Sequence, residues 1–199
     1  MIMSNASELR ERLDVLTFME TDTRCWSWVP VHETFGKVER KARRNVFSGT
    51  AVAAETYDIT LRRQGLTKSN ALLWRGTPLF VSAVEHDRHW TRISAVAIKS
   101  TRVERSVENY GKNELNNPIR LPPAKLIFPG WLAEKYVRAE RDSPAVEITR
   151  TYVLIVPKAL EVIPVGDTIK VDGEDYVVEV QHLLGSDNNE YEIVYRGEA

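Results

Sequence analysis

The tract Glu85-His86-Asp87-Arg88-His89 holds the densest set of chemically capable side chains in the sequence. Two imidazoles three residues apart, with carboxylates beside them, are the side chains that bind zinc or another divalent cation. Position three on a strand lies on the opposite face, so His86 and His89 would converge only if the chain turns between them. The alternative reading is a polar hairpin tip. Cys25 is the only cysteine. A thiol nucleophile needs a base and an orienting group, and its sequence neighbours supply neither. Ser48-Gly49 and Ser82 lie outside any G-x-S-x-G elbow, and no phosphate-cradling glycine loop occurs. The carboxylates Glu20/Asp22 and Asp172/Glu174/Asp175 fall in turns, where solvated acids are common. The sequence therefore points away from an enzyme and predicts no cofactor; a metal-dependent β-barrel enzyme built on His86 and His89 is the alternative.

The tract Lys37 to Arg44 (KVERKARR) is the strongest local charge. Lys37, Arg40, Lys41, Arg43 and Arg44 outweigh Glu39, and such a tract could touch phosphate or an acidic protein surface. A solvated helix face is the competing explanation. Trp26 and Trp28, two apart, share one face of a strand, either as a binding platform or as core.

These residues must be positioned by β-structure. Tyr57, Ile59 and Leu61 alternate with polar residues, and further short strands are expected over 14–20, 25–31, 72–74, 79–84 and 91–98. Strands over 148–156, 168–171, 176–180 and 191–195 follow. Two segments resemble each other. WRGTPLFVSAVEH (Trp74 to His86) matches VDGEDYVVEVQH (Val171 to His182), each with a turn glycine, Gly76 and Gly173. Upstream, Glu55-Thr56-Tyr57 matches Arg150-Thr151-Tyr152. The offset is about 95 to 97 residues, the size of one small domain. The expected fold is mainly β: two small antiparallel barrel or sandwich modules, residues 1–100 and 124–199, with short helices at the basic tract and after Trp131. Residues 101–123, rich in Asn and Pro, read as a linker or extended arm. Ile119, Leu121, Leu126, Ile127, Phe128 and Trp131, at the end of this arm and beyond it, read as anchors for a neighbouring subunit.

Composition narrows the setting. The chain has 199 residues, 43% hydrophobic and 28% charged, which suffices for a packed core. A net charge of −1 lacks the basic excess of a DNA-gripping protein. The single cysteine excludes an intrachain disulfide and suits a reducing cytoplasm. The charged N-terminus does not read as a secretory signal, and no apolar run is long enough to predict a membrane helix.

The order of features resembles a known family. LRERLDVLTF, the stretch Trp28 to Val31, TFGKVE, a basic tract, TYDITLR and WRGTPLFVSAV are together similar to bacteriophage head–tail joining proteins, also called head-completion, stopper or connector proteins. The resemblance covers about residues 7–98. The stretch from TRTYVLIVPKAL to VDGEDYVVEVQH is similar to related neck modules. The resemblance implies a structural β-barrel in the virion neck, assembled in the host cytoplasm as a homo-oligomeric ring, hexamer or dodecamer. Such a ring would meet the portal or an adaptor protein on one side and a tail terminator or tail protein on the other, with genomic DNA passing through it. It implies no catalytic residues.

Overall fold

Alternation of apolar and polar residues dominates the chain, so each segment can bury one face only by pairing into a sheet. The computed structural model describes residues 6–41, 55–134, 151–183 and 185–196. Among these residues a 3-10 turn, Ala6–Glu8, precedes twelve strands. The first six are β1 (Glu11–Asp22), β2 (Cys25–Lys41), β3 (Glu55–Arg62), β4 (Asn70–Trp74), β5 (Thr77–His86) and β6 (Trp90–Ala97). The second six are β7 (Lys99–Lys112), β8 (Pro118–Glu134), β9 (Thr151–Pro157), β10 (Thr168–Val171), β11 (Glu174–His182) and β12 (Asn188–Tyr195).

The pairings close two rings. In the first, the order β1-β4-β5-β6-β3-β2 returns to β1 through the β1–β2 hairpin. In the second, β7-β10-β11-β12-β9-β8 returns to β7 through the β7–β8 hairpin. Strand for strand the connectivity is the same. Closure removes most of the unpaired edge that a short sheet would leave to water.

Local chemistry repeats with the connectivity. The β4–β5 and β10–β11 turns each place two successive residues at positive φ, Arg75 and Gly76 in one, Asp172 and Gly173 in the other. A type I′ hairpin turn requires this, and glycine adopts it without a Cβ clash. A bulge falls between Val81 and Ala83 in β5, and another between Val178 and Val180 in β11. Gly36 pairs with Glu11, and Gly130 pairs with Thr101. A Cβ at Gly36 would lie 2.5 Å from Leu61 and 3.0 Å from Leu13; at Gly130 it would lie 2.6 Å from Leu154 and 3.3 Å from Val103. A buried leucine fills the gap in both barrels, from neighbouring positions: Leu61 in the first and Leu154, the counterpart of Ile59, in the second.

Each barrel is filled by its own side chains. Leu13, Val15, Tyr57, Ile59, Leu61, Leu72 and Leu79 pack the first; Val103, Phe128, Leu154, Val156, Ile169, Tyr191 and Ile193 pack the second. A third cluster forms the seam between them. Leu16, Ala71, Phe80, Val96 and Ile98 from outside the first barrel meet Trp131, Val153 and Ile155 from outside the second.

Three sequence expectations differ from the structure. Residues 101–123 are no linker: they form most of the β7–β8 hairpin, so the second ring begins at Lys99. The part of the basic tract within the described residues, Lys37 to Lys41, is strand rather than helix, because it pairs with residues 56–60 of β3. Trp131 also lies in a strand, not at a helix start. Arg43, Arg44 and the tract 48–54 lie outside the described residues.

Candidate assembly surface

Both first hairpins are longer than the barrels need, so each projects as an arm. In β1–β2 the arm runs from about Thr17 to Val29, and its apolar face carries Phe18, Trp26 and Trp28. Phe18 stacks on Trp26 at 5.0 Å and meets Trp28 edge-on at 5.2 Å. Trp28 continues to Trp131 at 5.9 Å, and Trp131 to Phe80 at 5.9 Å. An aromatic chain thus runs from the tip of the first arm through the seam. Stacked and edge-on pairs of this kind each add about 0.5–1.5 kcal/mol beyond area burial.

The tip of the first arm docks on the second barrel. The Ile127 amide donates to the Arg24 carbonyl at 2.9 Å, and Cys25 pairs with Ile127 in parallel register. The Arg24 guanidinium reaches the Asn109 side-chain oxygen at 3.4 Å. Trp26 packs against the core of the second barrel, which includes Leu126 and Leu160. The tryptophan pair is therefore packing inside this chain, and half-buried Cys25 belongs to the same contact.

The second arm is placed differently. Its turn is fixed by Asn113, whose side-chain oxygen accepts from the amides of Leu115 at 3.0 Å and Asn117 at 2.9 Å. The turn exposes Leu115 (79%), and the strands that lead to it expose Tyr110 (61%) and Ile119 (39%). Arg120 pairs with Glu108 at 2.7 Å on one face. On the other, the Leu121 side chain lies over Gly111, where a Cβ would sit only 2.8 Å from it. Of the proposed anchors, Ile119 is exposed and Leu121 half-buried. Phe128 and Trp131 are 1% exposed and fill this chain's own core and seam, so they are corrected from interface to interior. Leu126 is buried at the rim of the second core, and Ile127 is taken up by the first arm.

The described cations of the basic tract are already engaged. Lys37 sits 2.9 Å from both Glu8 and Glu39, which raises its pKa, chiefly through the Glu39 bond. Arg40 pairs with Glu55 and Lys41 with Asp58. Lys37, Glu39, Lys41 and Asp58, together with Glu85 and Arg92, line a charge-mixed depression outside the first barrel. This is a surface of neutralised ion pairs rather than an open cationic patch.

The β5–β6 connection does not gather its histidines. Its turn is closed by the Asp87 amide donating to the Trp90 carbonyl at 2.8 Å. The His86 Nε2–H donates to the Leu66 carbonyl at 3.0 Å, while Nδ1 faces the Thr91 hydroxyl at 3.2 Å. A ring nitrogen donating to a carbonyl is not available as a metal ligand. Among the described residues no three His, Cys, Asp or Glu side chains converge as a metal group. No helix among them is long and apolar enough to cross a membrane.

Ion pairs also clasp the two repeated turns, with opposite polarity. Arg75 binds Glu11 through two contacts, 2.9 and 3.1 Å, and Trp74 donates to the same carboxylate at 3.0 Å. The Trp74 bond is the main reason the Glu11 pKa is lowered. At the equivalent turn Asp172 takes the place of Arg75. It binds Lys99 at 2.6 Å, which lowers its pKa, and accepts from the Arg102 amide at 3.0 Å.

Comparison of the chain with family models, curated proteins and solved structures finds no match.

Proposed function

We propose that this chain is a structural protein of a bacteriophage neck. It assembles as a homo-oligomeric ring of six or twelve copies between the portal or its adaptor and the tail terminator or tail. The ring closes the DNA-filled head and offers the tail its attachment platform. The observation that carries the reading is the pair of filled barrels with one arm docked and one arm presenting Tyr110, Leu115 and Ile119 to water. The barrel interiors are occupied by leucine, isoleucine and aromatic side chains, so the capacity for interaction lies on arms and outer faces. The resemblance to head–tail joining proteins spans residues 7–98, and the first ring runs from Glu11 to Ala97. Paired surface charges and a net charge of −1 would let DNA slide past without being held.

The test is genetic and structural. Deleting the gene from a phage or prophage that carries it should yield DNA-filled heads that lack tails and leak their genome. Antibody raised against the chain should label complete virions between head and tail. Tailed, infectious particles from the deletion, or label confined to the capsid shell or tail tip, would overturn the reading.

A further inference from the structure

We infer that the second arm docks on the first barrel of another copy of this chain, repeating between molecules the contact that the first arm makes within one. The inference deepens the self-assembly part of the function proposed above. It rests on the register of the two rings. Cys25 stands eleven residues before Gly36, and Ile119 stands eleven before Gly130. Ile127 stands three before Gly130, and Glu33 three before Gly36. The two glycines occupy the same place in their rings, so the Cys25–Ile127 bridge has one counterpart: Ile119 against Glu33. Within a single chain the second arm leads away from the second barrel, and no pairing joins β8 residues 118–121 to β2. A second molecule supplies the missing partner.

The acceptor is suited to this. Glu33 pairs with Asp14 in the register that pairs Ile127 with Glu104. The Ile127 amide points away from its hairpin partner and toward the docked arm. By the same alternation the Glu33 amide would point to the outer edge of β2, beyond the last β2–β3 pair, where the Gln64 side chain bridges His32 and Thr34 and would have to give way to the arm. Val31 and Phe35 flank it, 60% and 56% exposed, an apolar pair on a strand edge that natural sheets otherwise blunt or cover. On the arm Ile119 and Leu121 share the face that would meet Val31 and Phe35, with Leu115 at its tip, while Tyr110 lies with Arg120 on the other face.

The other contact between barrels cannot be repeated in this way. Where the second barrel presents Trp131, Val153 and Ile155 to the seam, the first presents Lys37, Asp58 and Thr60 at the equivalent positions. A heterologous arm-to-barrel contact adds copies head to tail, and closes into a ring if its rotation allows.

Two versions of the full chain test this, each with Cys25→Ser, one with Ile119→Cys and the other with Glu33→Cys. Parallel neighbours in a sheet lie within disulfide reach. On mixing under mild oxidation, a linked pair should form at least tenfold faster than in a control mixture of Ile119→Cys with Val165→Cys. In sedimentation, Leu115→Ser with Phe35→Ser should shift association to at least tenfold higher concentration. Association without the Ile119–Glu33 link overturns the arm contact and leaves the ring to other surfaces. Links formed only between Ile119→Cys chains overturn it in favour of a two-fold arm contact. A chain that stays monomeric and unlinked overturns it too, while neck labelling judges the virion reading independently.

Discussion

The two barrels share every strand connection, yet their outer surfaces have little in common. Trp131, Val153 and Ile155 on the second barrel correspond to Lys37, Asp58 and Thr60 on the first. The former set is buried in the seam; Lys37 and Asp58 lie in a network of ion pairs facing water. The arms diverge in the same way: Phe18, Trp26 and Trp28 where there is a barrel to cover, Asn, Pro and an Arg–Glu pair where the chain ends its own contacts. Interior positions and turn glycines are set by barrel closure, so they repeat. Exterior positions are set by what covers them, so they do not. The exposed apolar groups of the second arm are then the informative exception, since nothing among the described residues covers them.

Removing the seam should separate the two barrels most sharply. Trp131→Ala deletes the side chain that Trp28 and Phe80 both pack against, and should cost about 3–5 kcal/mol. A single denaturation transition should split into two as the barrels lose their coupling, read by chemical denaturation with tryptophan fluorescence. A loss below about 1 kcal/mol with one transition would mean that the barrels are held together elsewhere.

Alkaline pH should single out the second barrel at Tyr176, whose counterpart in the first is Leu79. Burial first, then the charge of Glu174, pushes the Tyr176 hydroxyl up to about 12 from 10.0. The neutral form is favoured in the folded state, so this contribution is fully present below pH 10. It is lost as pH rises from about 10 to 12, where the unfolded chain has released its proton and the folded chain has not. The loss is at most about 2–3 kcal/mol. Tyr176→Phe should flatten that part of the stability profile; an unchanged slope would show that Tyr176 ionises as readily folded as unfolded.

The paired glycines should respond alike. Gly36→Ala and Gly130→Ala each force a Cβ against a buried leucine and should each cost about 1–3 kcal/mol. A large cost at one site and none at the other would break the equivalence on which the arm register depends.

Much of the strand structure was legible in the residues. Alternation marked β3 through β6 and β10 through β12, a continuous apolar run marked β9, and Gly76 and Gly173 marked two turns. The arms were harder for a physical reason. A hairpin that projects beyond its barrel has no buried face of its own, so residues 108–121 carry no period-two pattern and read as linker. Lys37 to Lys41 carries good helix formers, and only its pairing with β3 makes it strand. Phe128 and Trp131 looked like isolated anchors because the strand that buries them, β9, lies beyond a long sequence gap. The signal that was overlooked is the pair Gly36 and Gly130, each set in a strand where glycine weakens pairing and marks a close approach. The resemblance to neck proteins supplied the functional expectation; residue spacing alone supplied only a barrel.

Amide exchange resolved by nuclear magnetic resonance tests the difference between the arms most directly. In the isolated chain the Ile127 amide is held by the Arg24 carbonyl, while among the described residues no arm pairs with β2 at the equivalent Glu33. Ile127 should exchange at least a hundredfold more slowly than Glu33, and Glu33 should slow toward the Ile127 rate once the chain assembles. Equal exchange at the two positions in the isolated chain, or an unchanged Glu33 rate in the assembly, would contradict the account of one occupied and one waiting barrel edge.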